Sequence, residues 1–403
     1  MKFVSTVSDE TMGFMLDGIS YAAGTFRSRA GGSHTERDAA EYMASQAKPF
    51  CEQTATQTVS YRPGAYRAAP RLSAVLMTAS AVLFYLSGKT NGIAFPVTSL
   101  VFASVALCVF IYEFIFSRRF TDLLYRRAEG RNVVLRRSPY AEARKKVIIT
   151  ANIDTSPEWR FAFSRFDICK LFSVLYIFVS AVFCVMLLVF TAQGAPSGGA
   201  WTALQAVQLL FAAVYVPMLF FFGGKTAGGG RIHNLSGCYA CLGVMRTLDE
   251  QGGRLSHTEV ECVLCSGGFS GGGGAREYIK GIRAAVSADD TYVIALDALC
   301  GKGVVFPARD GANTVKCSPE LRHVLLRAAK RQDNRAAHMP VRSSPAVPFA
   351  HAGMRTAFIR GDAPRLSSYP GRGDTADKLS AAALSEAVKT VIEALNIIDG
   401  GDM

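Results

Sequence analysis

Four apolar stretches, residues 72–86, 93–116, 171–191 and 203–222, interrupt an otherwise mixed sequence and restrict what it can fold into. An α-helix needs roughly 20 apolar residues to cross the hydrocarbon layer of a bilayer. The stretches fall into two closely spaced pairs, so they read as two membrane hairpins. For the first and shortest, a buried soluble helix is the competing account. Glu113 lies near the end of the second, where a carboxylate can reach the interface instead of sitting at the bilayer centre.

The chain is basic, with 44 Lys and Arg against 32 Asp and Glu, and the placement of these charges says what they are for. Between the first pair of stretches there is only Lys89, and residues 192–202 carry no charge at all. The other flanks carry Arg62, Arg67 and Arg71, then Arg118, Arg119, Arg126 and Arg127, then Arg160, Arg165 and Lys170, then Lys225 and Arg231. Cytoplasmic loops are enriched in Lys and Arg. The expectation is therefore a multi-pass protein of the cell membrane, with both termini and everything outside the hairpins in the cytoplasm.

Asp9, Glu10 and Asp17 break up residues 1–21, and no apolar core of a signal peptide is expected there. The bilayer is the expected partner and accounts for the basic excess, with contact to anionic lipids as a by-product. No nucleic-acid partner is expected, because no stacking aromatics interleave the basic clusters. Ten cysteines in a reducing compartment are expected to be free thiols packed as small hydrophobes.

The hairpins, residues 71–116 and 171–222, divide a soluble part made of residues 1–70, 117–170 and 223–403, long enough together for one α/β domain with a sizeable core. Periodicity predicts helices over 36–50, 236–250, 276–287 and 380–395, the last with Leu384, Val388, Val391 and Leu395 on one face. Strands are predicted over 132–135, 146–150, 260–265 and 291–296. Such alternation predicts a mainly parallel mixed sheet flanked by helices, with a site at the carboxyl ends of its strands.

The strand Val147–Ile148–Ile149–Thr150 runs into Asn152 and Asp154. Further motifs follow in order: His233-Asn234-Leu235-Ser236-Gly237, Gly274-Ala275-Arg276-Glu277-Tyr278, Ala295-Leu296-Asp297 and Asp374-Thr375-Ala376-Asp377. Ahead of them stands Arg29-Ala30-Gly31-Gly32-Ser33, followed by Glu36, Ala39, Ala40 and Tyr42. Together these resemble the di-zinc aminopeptidase family, which includes bacterial leucyl aminopeptidases, glutaminyl cyclases and the transferrin receptor. The resemblance covers nearly all the soluble part and implies a zinc exopeptidase-like fold.

The resemblance also implies a metal centre, and this sequence departs from it. In active members two zinc ions polarise the scissile carbonyl and lower the pKa of a bridging water, while a glutamate takes its proton. By the resemblance, Asn152 stands where a zinc-binding histidine would be and Asp154 keeps the place of the carboxylate that orients it. His233 takes the place of the bridging carboxylate. The general-base and ligand glutamates fall on Gly268 and Phe269, or on Gly267 and Gly268 in a register shifted by one. Asp297 matches a ligand aspartate, and Pro370 replaces the last histidine. The implied ligands that remain are Asp297 and, in substituted form, His233.

Loss of a general base costs about 10²–10⁴ in rate, and loss of the metals removes Lewis acid and nucleophile together. The expectation is a membrane-anchored pseudopeptidase that binds, scaffolds or regulates, without a cofactor or with zinc at low occupancy. A peptide or a partner membrane protein is the expected ligand. Two rivals remain: an active hydrolase with a rearranged, mononuclear site at His233 and Asp297 near Asp154, and a transporter working through Glu113.

Other motifs carry less. The pairs Cys238/Cys241 and Cys262/Cys265 match a zinc-ribbon spacing, but a strand puts Cys262 and Cys265 on opposite faces. Gly223-Gly224-Lys225-Thr226 lacks the first glycine of a phosphate loop. Gly271–Gly274 could form an anion-binding nest or a plain flexible loop. His351, in Phe349–Met354, falls by the resemblance on the strand before the last ligand loop and is expected to be structural.

Overall fold

The structure is a computed structural model that describes residues 3–89, 92–161, 167–196, 198–226, 233–283, 287–310, 314–331, 344–362 and 379–401. The chain opens with helices α1 (Asp9–Thr25) and α2 (His34–Ala47), each capped by a serine: Ser8 Oγ accepts from Thr11 N–H and Ser33 Oγ from Glu36 N–H. Strand β1 (Gln53–Tyr61) leads into α3 (Gly64–Ser87) and α4 (Ala94–Cys108), the latter extended by π-helical turns to Ile115. Next come β2 (Ala128–Arg137), β3 (Lys145–Asn152), β4 (Pro157–Trp159), α5 (Ile168–Ala192), α6 (Gly199–Val207), α7 (Ala212–Leu219) and β5 (Phe222–Thr226). After them run α8 (His233–Glu250), β6 (Thr258–Cys265), α9 (Gly273–Ile282), β7 (Thr291–Asp297), β8 (Val304–Val305), β9 (Arg309–Asp310), β10 (Val315–Lys316), α10 (Pro319–Ala328), α11 (Val347–His351), β11 (Arg355–Gly361) and α12 (Ala381–Gly400).

Seven strands form one sheet in the order β1-β2-β6-β3-β7-β11-β8. The inner junctions β6/β3, β3/β7 and β7/β11 are parallel, while β1/β2, β2/β6 and β11/β8 are antiparallel. The sheet is thus evenly mixed, not mainly parallel. One of the three antiparallel junctions comes from β1: its run Gln53, Thr54, Ala55, Thr56, Gln57, Thr58 has little apolar pattern, and only Val59 and Tyr61 are buried. It is an edge strand held by its ladder to β2, and hydrophobic periodicity cannot find such a strand.

Alternation along the central strands splits the core between two faces. Val147, Ile149, Cys262, Leu264, Ile294 and Leu296 pack under α1, α2, α8, α10 and α12. Ile148, Val263, Cys265 and Val293 pack on the opposite face with Tyr278, Ile279 and Phe349. Cys262 and Cys265 therefore do lie on opposite faces, and all ten cysteines are free. The predicted strand over Phe349–Met354 is corrected. Pro348 starts the short helix α11, Gly353 at φ +87° ends it, and the strand begins only at Arg355.

Four helices are long and apolar enough to cross a membrane: Gly64–Ser87, Ala94–Ile115, Ile168–Ala192 and Gly199–Leu219. They form a core of their own, with Phe84, Phe110, Phe114, Tyr176, Phe183 and Tyr215 buried inside it. Two differ from expectation. The first begins eight residues earlier, at Gly64, so that Arg67 and Arg71 sit in its opening turns and bond the carbonyls of Gly223, Leu219 and Phe222. The last ends at Leu219 and is interrupted by 3₁₀ turns over Gln208–Phe211. Gly223–Thr226 belongs to β5, paired with β4, and makes no phosphate loop.

Polar side chains inside this bundle bond across helices: Gln205 Nε2 to Ser87 Oγ at 3.1 Å, Gln208 Nε2 to the Ala81 carbonyl at 2.9 Å, and Ser80 with Ser99 at 2.9 Å. Small and polar residues are the usual adhesive where the solvent is as apolar as the side chains.

Candidate functional site

The strand-end motifs converge where the parallel strands stop. Asn152 closes β3 and Asp297 closes β7. The pairing of Thr150 with Ala295 sets the two ends level, and both residues are buried. Beside them the N-terminal turn of α8 is fastened by the residues following His233. Asn234 Nδ2 donates to the Asp154 carbonyl, and Ser236 Oγ accepts from Leu299 N–H at 3.0 Å. A Cβ on Gly237 would strike the Leu296 carbonyl, so only glycine lets the helix lie this close to β7. Asn234-x-Ser236-Gly237 is therefore a clamp between helix and strand ends. The His233 side chain and Pro370 lie outside the described residues.

The loop after β6 carries the main finding. Four successive backbone amides each donate to a buried side chain: Ser266 N to Asn132 Oδ1 at 3.0 Å, Gly267 N to Glu36 Oε1 at 2.8 Å, Gly268 N to Asp154 Oδ1 at 2.8 Å, and Phe269 N to Asp154 Oδ2 at 2.9 Å. Glu36 Oε2 accepts further from Gly32 N at 2.6 Å and from Tyr61 Oη at 2.8 Å, and Tyr61 shares a 2.8 Å hydrogen bond with Ser266 Oγ. Asp154 is thus occupied by the amides of Gly268 and Phe269. Gly268 has no room for a side chain, because a Cβ there would run into the Asn152 amide.

Burial sets the protonation of this clasp. Glu36 and Asp154 are both inaccessible to solvent. Desolvation raises the Glu36 carboxyl above its ordinary value, opposed by the hydrogen bonds it accepts. Desolvation and then the nearby Glu36 charge raise Asp154 well above its own, opposed by the two loop amides.

Among the described residues no three His, Cys, Asp or Glu side chains stand close enough to hold a metal ion. Both oxygens of Asp154 hold amides, and Asn152 and Asp297 are the other described polar groups at these strand ends. A cavity of about 240 Å³ remains beside the clasp, lined by Gly31, Arg67, Asp154, Thr155, Phe269 and Ser270 among others.

Three other sequence candidates are placed. The nest reading of Gly271–Gly274 fails, since the amides of Gly272, Gly273 and Gly274 already donate to the carbonyls of Gly268, Gly267 and Ser266. Glu113 is buried at the end of the second apolar helix and accepts from Phe120 N at 3.0 Å, Thr121 N at 2.6 Å and Thr121 Oγ1 at 3.0 Å. It caps the turn that leaves the helix. His351 lines a separate cavity together with Val315 and Lys316 of β10.

The sequence alone places Glu36 in a helix and Asn132 at the start of a strand, and gives neither them nor Tyr61 and Ser266 a role in a site. One signal was available: Ser33-x-x-Glu36 has the spacing of a capping box. Here only half of that box forms. Ser33 caps Glu36 N–H, while the Glu36 carboxylate turns inward to Gly32, Gly267 and Tyr61.

Among solved structures, this fold is similar to that of a glutaminyl cyclase from an Acidobacteriales bacterium, at 12% identity and a TM-score of 0.53 over 98% of this chain and 97% of that one. A leucine aminopeptidase precursor from Bacteroides thetaiotaomicron is similar at 11% identity and 0.53, over 98% of each chain. An aminopeptidase from Aneurinibacillus sp. strain AM-1 is similar at 12% and 0.55, over 97% of this chain and 94% of that one. No family model matches the sequence, and no curated protein matches it. Likeness at this identity speaks for the fold.

Proposed function

We propose, from the premise that the chain has the zinc exopeptidase-like fold, that it is a membrane-anchored pseudopeptidase whose work is binding. The observation that carries the reading is the clasp. Asp154, which should orient a metal-binding histidine, instead ties down the backbone of Gly268 and Phe269, while Asn152 packs against Gly268. A zinc-bound nucleophile needs an open coordination position and a base within reach of its proton. Gly268 offers no base, and Asn152 is a poor zinc donor.

Binding is supported by what remains. The cavity beside the clasp has a cationic wall at Arg67 and an apolar one at Phe269, and it adjoins the first turn of α3. At about 240 Å³ it is smaller than sites for whole drug-sized ligands. It suits a few residues of a peptide or an extended segment of a partner membrane protein.

Anchoring is supported by where apolar surface is exposed. On α5, Val174, Phe178, Val185 and Leu188 are each more than half exposed, an arrangement that water penalises and lipid does not. The charge bias of the flanks orients the domain toward the cytoplasm.

The test is turnover by purified full-length protein on aminoacyl-nitroanilides and on N-terminal glutaminyl peptides, with zinc supplied and with chelator. The reading expects no chelator-sensitive activity. Turnover that a chelator abolishes and zinc restores would return the protein to the hydrolases, with His233 and Asp297 as the first residues to substitute.

A further inference from the structure

A second cavity lies apart from the strand-end clasp, where the chain leaves the span Ala94–Ile115. It measures about 550 Å³, within the range of small-molecule sites, and is lined by Phe116, Arg118, Lys316, Ser318, His351 and Arg355 among others. Its cations outnumber its acids. Arg118 and Lys316 are exposed and have no side-chain partner among the described residues. Arg355 is shared between the Tyr292 hydroxyl at 3.0 Å and the mostly exposed Glu320 at 3.5 Å. Behind Arg118, Arg276 is held by the carbonyls of Gly271 and Ser117, with no carboxylate in its hydrogen bonds. Of the neighbouring arginines, Arg119 is already matched, by Asp122 at 3.3 Å and Glu277 at 3.7 Å.

His351 adds a buried polar atom. Its Nδ1 has no hydrogen-bond partner among the described residues. Burial, then the charges of Arg118 and Arg276, push its pKa down to about 4, so the ring is neutral at physiological pH and keeps one N–H to donate. Unmatched cations converging on a cavity with a spare donor are the chemistry of a phosphate site.

The surroundings select the source of that phosphate. The loop that supplies Arg118 also exposes Phe120, Leu123 at 87% and Leu124 at 72%, large apolar side chains in a turn directly after a span. Exposed leucines and aromatics interleaved with Arg118, Arg119, Arg126 and Arg127 match the chemistry of a bilayer interface. We infer that this cavity receives the phosphate headgroup of an anionic phospholipid from the leaflet in which Phe120, Leu123 and Leu124 are immersed. The inference rests on the membrane reading above.

The test is the affinity of the purified full-length chain for dihexanoyl-phosphatidylglycerol, against dihexanoyl-phosphatidylcholine and inorganic phosphate. Saturable binding of the anionic lipid alone is expected, weakened about fivefold for each cation removed in Arg118→Gln and Lys316→Gln. Lys316→Gln alters an exposed side chain and provides a folded control if Arg118→Gln fails to fold. Equal affinity for phosphatidylcholine, unchanged affinity in the Lys316→Gln variant, or equal binding of inorganic phosphate would each overturn the lipid assignment. Carbonate extraction of membranes separates the two readings. Protein that resists extraction but ignores phosphatidylglycerol defeats only this inference, whereas protein released by carbonate defeats the membrane reading and this inference with it.

Discussion

Gly268 and Asn152 compete for one space, and that competition can be measured. Gly268→Ala forces a methyl group into the Asn152 amide, and overpacking of this kind costs about 1–3 kcal/mol. In Asn152→Ala the amide is gone, so adding Gly268→Ala should cost much less there. Denaturant unfolding of the four proteins reads the coupling, and additive effects would mean that the two side chains do not meet. The buried acids make a second residue-scale prediction. Their carboxyls are raised from ordinary values of 4.5 for Glu36 and 3.8 for Asp154. The folded state therefore favours the protonated forms. Their contribution is complete below about pH 4 and is lost as pH rises through the raised values. Asp154→Asn should flatten that part of the stability–pH curve, and a curve parallel to wild type would contradict the assignment. The meeting of Asn152 and Asp297 at the strand ends was legible in the sequence, because each closes a short apolar strand at a recognisable spacing. The clasp was not, because backbone amides and a buried Glu36 leave no spacing signature.

Elements built from periodic apolar patterns, such as α8, α12, β3, β6 and β7, were legible to within a few residues. Some that were not are held by something other than their own pattern. β1 depends on its antiparallel ladder to β2, and the boundary between α11 and β11 depends on Pro348 and Gly353. Between the second span and β2, the turn depends on Glu113. Glu113→Ala leaves the amides of Phe120 and Thr121 without their acceptor, and the buried one, Thr121, costs about 1–3 kcal/mol when orphaned. A lowered thermal midpoint of the full-length protein in a zwitterionic detergent is the expected outcome. An unchanged midpoint would show that the carboxylate is dispensable to the turn and reopen a role for it within the membrane.

At the scale of the whole molecule, two cores coexist: a sheet-and-helix core under the strand ends and an aromatic-rich core among the four apolar helices. The start of the first apolar helix is tied to the end of the last, since Arg71 bonds the Leu219 carbonyl and Arg67 the Gly223 carbonyl just beyond it. The topology proposed from charge placement is testable. A cysteine at Lys89, exposed in the first hairpin loop, should react with an impermeant maleimide on intact cells, whereas one at exposed Tyr140 should react only after permeabilisation. The reverse pattern would invert the protein.

Zinc content of the purified full-length chain, measured by elemental analysis after exposure to excess zinc and removal of the unbound metal, bears most directly on whether this site can do peptidase chemistry. The account predicts well below one zinc per chain, with no loss on mutating Asp297 to Ala. Two zinc ions per chain, reduced by that substitution, would contradict it.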